Sequence, residues 1–283
     1  MNISPASALD LEKRLGLTSG LIAVNGNQLH FEAAGRGLPI LFLHDGLADS
    51  RGFDSQFEFF AKNYTVVRYD RQGYGSSKPP DVPYSEVNDL KSIFDMLGLE
   101  TAILIGGSAG GRLAMNFAIT HPSHVAALVL VGPAVSGFDF SDHMWYRGWR
   151  NEYGDSVPEF IDFWVNDLWL IHEDNKEARA RLQQILESST QNLLNFPVEK
   201  LEDVKALPRL SEIQAPTLIV IGEHDIADNH AQAGIIQTNI KGSVRRVVLH
   251  AGHLVYMEQP EAFNKVVAEF LFNLSSSQLE QIR

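Results

Sequence analysis

Apolar residues along this chain follow two alternating rhythms. Short β-branched runs predict strands at Leu21–Val24, Leu29–Ala33, Pro39–Leu43, Tyr64–Tyr69, Ala102–Ile105, Val125–Val131, Thr217–Ile221 and Val244–Leu249. The runs at 125–131 and 217–221 are continuously apolar, as expected of parallel strands covered on both faces. Between the runs, apolar positions recur at helical spacing. Leu90, Ile93, Phe94 and Leu97 predict a helix over about Ser85–Leu97. Leu113, Ala114, Phe117 and Ala118 mark the inner face of another, and a final helix is expected over about Pro260–Leu274. Asn25-Gly26-Asn27 reads as a hairpin turn joining the first two strands. Strand–helix alternation of this kind predicts an α/β fold with a mostly parallel central sheet flanked by helices.

The alternation stops between about Ala134 and Pro208. This stretch is aromatic and helical in pattern. Ser156-Val157-Pro158-Glu159 predicts a helix start with a capping box, and Phe160, Phe163, Trp164 and Leu168 follow it. Ala178, Leu182, Ile185, Leu186 and Leu193 form the apolar stripe of a second helix. A helical block between two sheet strands has its free place over the carboxyl edge of the sheet. The expected organisation is therefore an N-terminal extension (1–19), an α/β core (20–133 and 209–283) and an inserted helical cap, or lid (134–208).

Composition narrows the function classes. A chain of 283 residues suits one large domain or a domain with an insertion. The net charge of −12 argues against nucleic acid and anionic membrane as partners, since both favour basic surfaces. The chain has no cysteine, which removes disulfides, thiolate metal sites and a cysteine nucleophile. Residues 1–16 show no apolar signal region and no run reaches membrane-span length, so a cytoplasmic protein is expected, with a homo-oligomer possible.

The candidate chemistry centres on Ile103-Leu104-Ile105-Gly106-Gly107-Ser108-Ala109-Gly110-Gly111. A strand ends, a serine follows inside Gly-x-Ser-x-Gly, and a helix starts at once. That is the pattern of a nucleophile elbow, in which side chains at Gly106 or Gly110 would meet backbone. A serine hydroxyl needs a base, and the base needs an orienting acid. Asp225 follows the 217–221 strand and is the acid candidate, with Asp228 and Glu223 as rivals. His253 follows the 244–249 strand and is the base candidate. His250 is its rival, expected to be packed nearer the strand. His224, Asp225, Asp228 and His230 fit no common metal-ligand spacing. The oxyanion donors expected are the N–H groups of Ala109 and Gly46, with His44 shaping the Gly46 loop.

Taken in order, Leu43-His44-Asp45-Gly46, Asp70-Arg71-Gln72-Gly73-Tyr74-Gly75-Ser76-Ser77, the serine elbow, Gly222-Glu223-His224-Asp225 and Gly252-His253 resemble an α/β-hydrolase with a helical cap. The resemblance spans about residues 20–272. It implies a Ser108–His253–Asp225 triad, an oxyanion hole near Gly46 and Ala109, and no cofactor or metal. Two positions depart from the family pattern. Asp45 replaces a usual glycine, which is repulsive to an oxyanion unless the carboxylate points away or is paired. Gln72 replaces a frequent glycine in a structural turn. Serine at the elbow disfavours the dehalogenases and epoxide hydrolases of this type, which use aspartate there. All four tryptophans, Trp145, Trp149, Trp164 and Trp169, lie in the expected cap. Trp145, Trp149 and Trp164 are candidates for an apolar substrate pocket, and Arg147 and Arg150 for holding a substrate carboxylate.

The function expected is a serine esterase acting on small to medium apolar carboxylic esters through an acyl-serine. Alternatives on the same fold are a proline-iminopeptidase-like aminopeptidase, a carbon–carbon bond hydrolase and a non-catalytic small-ligand receptor. In an aminopeptidase, Glu152, Asp155, Asp167 or Glu173 would hold the substrate ammonium.

Overall fold

The computed structural model describes residues 16–140, 156–190, 200–201 and 204–274. Its centre is an eight-stranded sheet in the order β1-β2-β4-β3-β5-β6-β7-β8. The strands are β1 Thr18–Val24, β2 Asn27–Gly35, β3 Pro39–Leu43, β4 Thr65–Tyr69, β5 Ala102–Gly107, β6 Val125–Val131, β7 Thr217–Gly222 and β8 Val244–Val248. β2 runs antiparallel to β1 and β4, and every other pairing is parallel. The hairpin between β1 and β2 turns on Asn25 (φ 26°) and Gly26 (φ 88°), and Asn27 already pairs with Val24.

Alternate side chains of a strand point to opposite faces, and here both faces are dry. Ile40, Phe42, Val66, Ile103, Ile105, Val129, Leu218 and Val220 pack on one side with Phe53, Phe57 and Phe60. Leu41, Leu43, Val67, Leu104, Leu128, Leu130, Ile219 and Ile221 pack on the other. That is why the central strands read as unbroken apolar runs.

The helices are α1 Asp54–Phe60, α2 Glu86–Leu97, α3 Ala109–Thr120, α4 Val157–Asn166, α5 Lys176–Ser188, α6 Ala227–Asn239, the single turn α7 Val255–Glu258, and α8 Pro260–Asn273. α2 starts where the Ser85 hydroxyl accepts the Asn88 N–H at 3.1 Å, and it ends at Gly98 in a left-handed conformation. The expected start of α4 is found, with Ser156 at the cap position, but its side chain makes no cap hydrogen bond. Phe160, Ile161, Trp164, Ala178, Leu182, Ile185 and Leu186 are buried and join the apolar cluster that holds Phe53 and Tyr256. Leu193 lies outside the described residues.

Three helices escape the sequence pattern, the single turn α7 among them. α6 has few apolar positions and buries Ala233 and Ile236 beside the polar Asn229 and Gln232. α1 is short and is fixed by Phe57 and Phe60. Among the described residues no helix is long and apolar enough to cross a membrane. Because β3, β5, β6, β7 and β8 are parallel, their carboxyl ends share one edge. His44, Ser108, Gly132, Asp225 and His253 all follow those ends.

Candidate active site

Ser108 joins β5 directly to α3, with φ 50° and ψ −111°. This conformation costs a non-glycine residue about 1–3 kcal/mol and persists only where the surroundings enforce it. The enforcement is visible. The Ser108 N–H donates to the Val131 carbonyl at 2.8 Å, and the Ser108 carbonyl accepts from Arg112 and Ala134. A Cβ at Gly106 would lie 2.4 Å from the Gly110 carbonyl oxygen, and one at Gly110 would lie 1.9 Å from that of Leu43. Both glycines are therefore required by close backbone approach, as the motif predicts.

On the same edge, the His253 ring places Nδ1 2.9 Å from Asp225 Oδ2. Both side chains are buried, at 5% and 0% exposure. Asp225 Oδ1 accepts from the Ile226 N–H at 2.8 Å and from Asn229 Nδ2 at 2.7 Å. Its two oxygens are thus divided, one to the loop and helix, the other to the imidazole. With Nδ1–H directed at a carboxylate, the Nε2 lone pair is available to accept a proton. Burial pulls the His253 pKa down, but the charge and hydrogen bond of Asp225, then Asp45 and Glu258, hold it above the ordinary imidazole value.

The pair is seated on Gly132, whose φ is 47°. A Cβ there would lie 2.8 Å from His253 Nδ1 and 3.0 Å from Asp225 Oδ2. The preceding residue, Val131, is the one that receives the Ser108 N–H. Acid, base and elbow are therefore anchored to the same end of β6.

The carboxylate is itself held by a buried chain absent from the sequence reading. The Val135 N–H donates to Gln232 Oε1 at 2.7 Å, Gln232 Nε2 donates to Asn229 Oδ1 at 3.3 Å, and Asn229 Nδ2 reaches Asp225. The backbone donor at one end fixes the orientation of both amides. The signal was present in the sequence: Asp225, Asn229 and Gln232 lie at helical spacing.

At the loop after β3, a Cβ on Gly46 would lie 3.5 Å from Ala109 Cβ, so the two expected oxyanion donors sit on adjoining backbones. The Asp45 carboxylate is paired. Oδ1 accepts from the Leu47 and Ala48 N–H groups at 2.6 and 2.8 Å, and Oδ2 accepts from the Tyr256 hydroxyl at 2.5 Å. Among the described residues nothing accepts from the Gly46 N–H. The Tyr256 ring stacks on Phe53 at 4.2 Å, and burial raises its phenol pKa far up, so it stays a donor. His44 uses both ring nitrogens in the loop, Nδ1 donating to the Asp45 carbonyl at 2.8 Å and Nε2 accepting the Arg71 N–H at 3.0 Å. Burial, then the Arg71 charge, lowers its pKa and keeps it neutral. Gln72 is buried and bridges Asn27 and Asp89.

Glu258 is a further member that sequence reasoning missed. Its buried carboxylate accepts from the Gly252 N–H at 2.9 Å, the His172 N–H at 2.7 Å and Asn175 Nδ2 at 2.8 Å. Burial raises its pKa against the pull of those donors. The His253 N–H donates to the Trp169 and Leu170 carbonyls at 2.8 and 3.0 Å. The segment after α4 thus grips the His253 loop.

The rival residues go elsewhere. His250 is exposed, not packed as expected, because its positive φ of 55° turns it outward at the end of the β8 edge. Glu223 is exposed and accepts the His250 N–H, the His224 ring lies tilted against His172 at 4.3 Å, and His230 meets Arg245. Trp164 is 5% exposed and packs edge-on to Phe160 and Phe163. Asp167 caps the turn at Trp169 and Leu170. Trp145, Trp149, Arg147, Arg150, Glu152 and Asp155 lie outside the described residues.

Comparisons with known proteins bear on the fold and the family. Residues 39–260 match the family model of the alpha/beta hydrolase fold. A 2-hydroxy-6-oxononadienedioate/2-hydroxy-6-oxononatrienedioate hydrolase from Pseudomonas putida is 32% identical over 266 residues, covering 86% of this chain and 91% of its own. The human serine hydrolase BPHL is 28% identical, covering 90% of this chain and 87% of its own. A thermophilic esterase from Thermogutta terrifontis superposes with a TM-score of 0.75 at 24% identity, over 90% of this chain and 98% of its own. That likeness concerns the fold. This chain is a hydrolase belonging to the alpha/beta hydrolase fold family.

Proposed function

We propose that the chain is a serine hydrolase of carboxylic esters, with Ser108 as nucleophile, His253 as general base and acid, and Asp225 as orienting acid. The single observation that carries this reading is the buried 2.9 Å contact between His253 and Asp225, mounted on Gly132 beside the elbow. Ser108 attacks the ester carbonyl while His253 Nε2 takes the hydroxyl proton. The Gly46 and Ala109 N–H groups stabilise the oxyanion, worth about 3–4 kcal/mol per donor in a comparable site. His253 returns the proton to the leaving alcohol. Water, deprotonated by His253, then releases the acid from the acyl-serine.

Pairing by Tyr256 and two backbone donors supports the oxyanion assignment, because it turns the Asp45 charge to loop bonds. In this proposal residues 134–208 form a cap over the site. The grip of Trp169, Leu170 and Glu258 on the His253 loop supports it, since that segment meets the base directly. Ser108→Ala is expected to retain the fold and lose 4-nitrophenyl ester turnover by roughly 10⁴-fold or more. Turnover within tenfold of the parent would overturn the mechanism.

A second reading is carbon–carbon bond hydrolysis of a carboxylated dienone. The 32% identity to the Pseudomonas putida dienedioate hydrolase favours it. The same three residues would serve. Assay of one protein sample on an aryl ester and on a 2-hydroxy-6-oxo-dienoate separates the two by the larger kcat/KM.

A further inference from the structure

Beside α3, one turn below Ser108, lies a cavity of about 400 Å³ whose lining includes Glu86, Arg112, Leu113, Asn116, Ala134, Phe138 and Lys200. It borders the elbow, because the Ala134 N–H donates to the Ser108 carbonyl at 3.2 Å. Three cations surround one carboxylate here. Glu86 pairs with Arg71 at 2.6 Å and with Lys200 at 2.5 Å, and Arg112 stands off at 4.0 Å. Glu86 is the one ion-pair partner of Arg112 among the described residues, and the Arg112 side chain is 35% exposed. Arg71 Nε is buried without a partner. Arg112 and Lys200 line the cavity against the one carboxylate of Glu86, which Arg71 already neutralises from outside the lining, so the partly enclosed space carries an excess of positive charge that calls for an anion. Burial lowers the Lys200 pKa first, and Arg112 and Arg71 lower it further against the pull of Glu86.

The donors are directional as well as charged. Arg112 and Asn116 are i and i+4 on α3 and share one face. Asn116 Oδ1 is occupied by the Ser136 hydroxyl at 2.8 Å, which turns its NH₂ to other partners. Side chains on a helix lean toward its N-terminus, so the Arg112 guanidinium reaches back toward the Ser108 end. Apart from Ser136, the other lining side chains are apolar and include Leu113 and Phe138.

From this arrangement we propose that the cavity is a carboxylate-binding subsite. It holds the remote carboxylate of an amphiphilic acyl substrate between Arg112 and Lys200, opposite Glu86, with the apolar body against Leu113 and Phe138. A guanidinium presents a fork that matches a carboxylate, and the ammonium supplies the second charge. The substrate class that follows is an ester or ketone with a second, free carboxyl group. The proposal rests on Ser108 as the reacting residue only in placing that carboxyl group on a substrate.

The experiment uses full-length Ser108→Ala protein, so binding is read without turnover. Isothermal calorimetry at low ionic strength compares 4-phenylbutyrate with 4-phenylbutyramide. The acid is expected to bind at least about tenfold tighter than the amide, and Arg112→Gln and Lys200→Gln are each expected to weaken acid binding about tenfold. Equal binding of acid and amide, no binding of the acid, or acid affinity unchanged in both variants overturns the subsite. On the parent enzyme, the kcat/KM ratio of mono-4-nitrophenyl adipate over 4-nitrophenyl hexanoate is expected to fall about tenfold in Arg112→Gln. A ratio that stays fixed overturns its assignment to substrate. Loss of the nucleophile reading would appear instead as persistent ester turnover in Ser108→Ala.

Discussion

Among single residues, His253 is the one whose protonation the proposed mechanism depends on. In the proposed mechanism its neutral form is the base, and Asp225 outweighs burial to raise its pKa above the ordinary 6.5. As pH falls through a raised pKa, the neutral fraction is lost early, so the acid limb of kcat/KM is expected to lie above pH 6.5. A limb below that value would contradict the pairing. Asp225→Asn removes the charge that raises the pKa and disturbs the tautomer, so the limb should move to lower pH while kcat falls by roughly 10⁴. Asn229 gives a finer test, because its Nδ2 lies 3.0 Å from His253 Nδ1 as well as on Asp225. Asn229→Asp places a second carboxylate beside the imidazolium and should move the limb upward in a pH–rate profile. Asn229→Ala should lower kcat about tenfold with KM little changed, since a looser Asp225 affects the base and not substrate binding. A merely structural role would move the melting temperature but not the limb.

Among the elements, legibility followed burial. β3 and β6 match their predicted bounds because both their faces are dry and every residue carries the signal. α6 was not legible. Its polar residues are turned inward to the Asp225 carboxylate, so the usual contrast of apolar inner and polar outer faces is missing. Function overrode amphipathicity there. The Ser156 cap shows the opposite error, since the sequence pattern was right for a helix start and wrong for the bond. Ser156→Ala is therefore expected to change stability by less than about 0.5 kcal/mol, against about 1 kcal/mol for a formed cap. Chemical denaturation distinguishes them. The joint between β3 and α3 is far less tolerant. A Cβ at Gly110 would meet the Leu43 carbonyl, so Gly110→Ala should cost about 3 kcal/mol or more and lower the melting temperature by several degrees. A variant melting with the parent would mean that the elbow is looser than these contacts require.

For the whole molecule, the order of motifs along the chain was enough to read the fold and to nominate three residues that share the carboxyl edge. What joins distant segments was not readable. Glu86, Arg112 and Lys200 are far apart in sequence and meet only because the chain leaves β6 and returns beside Tyr84. Glu258 likewise links the His253 loop to the segment between α4 and α5, and nothing at its position in the sequence says so. Glu258→Ala would leave the buried Gly252 N–H without an acceptor, at about 1–3 kcal/mol, and would remove the partner of the half-buried His172 N–H, while Asn175 Nδ2 keeps the His250 carbonyl. The expected result is a lowered melting temperature and a reduced kcat, because the backbone that aims His253 is released. Trp164, an aromatic in the helical insert, is buried edge-on to Phe160 and Phe163.

The most direct test of the central claim is covalent. The parent protein, reacted with a fluorophosphonate and examined by intact mass and peptide mapping, should gain one adduct, on Ser108, with loss of ester turnover in step. His253→Ala should slow that labelling by orders of magnitude. An adduct on another residue, or an enzyme that stays active and unlabelled, would contradict the account.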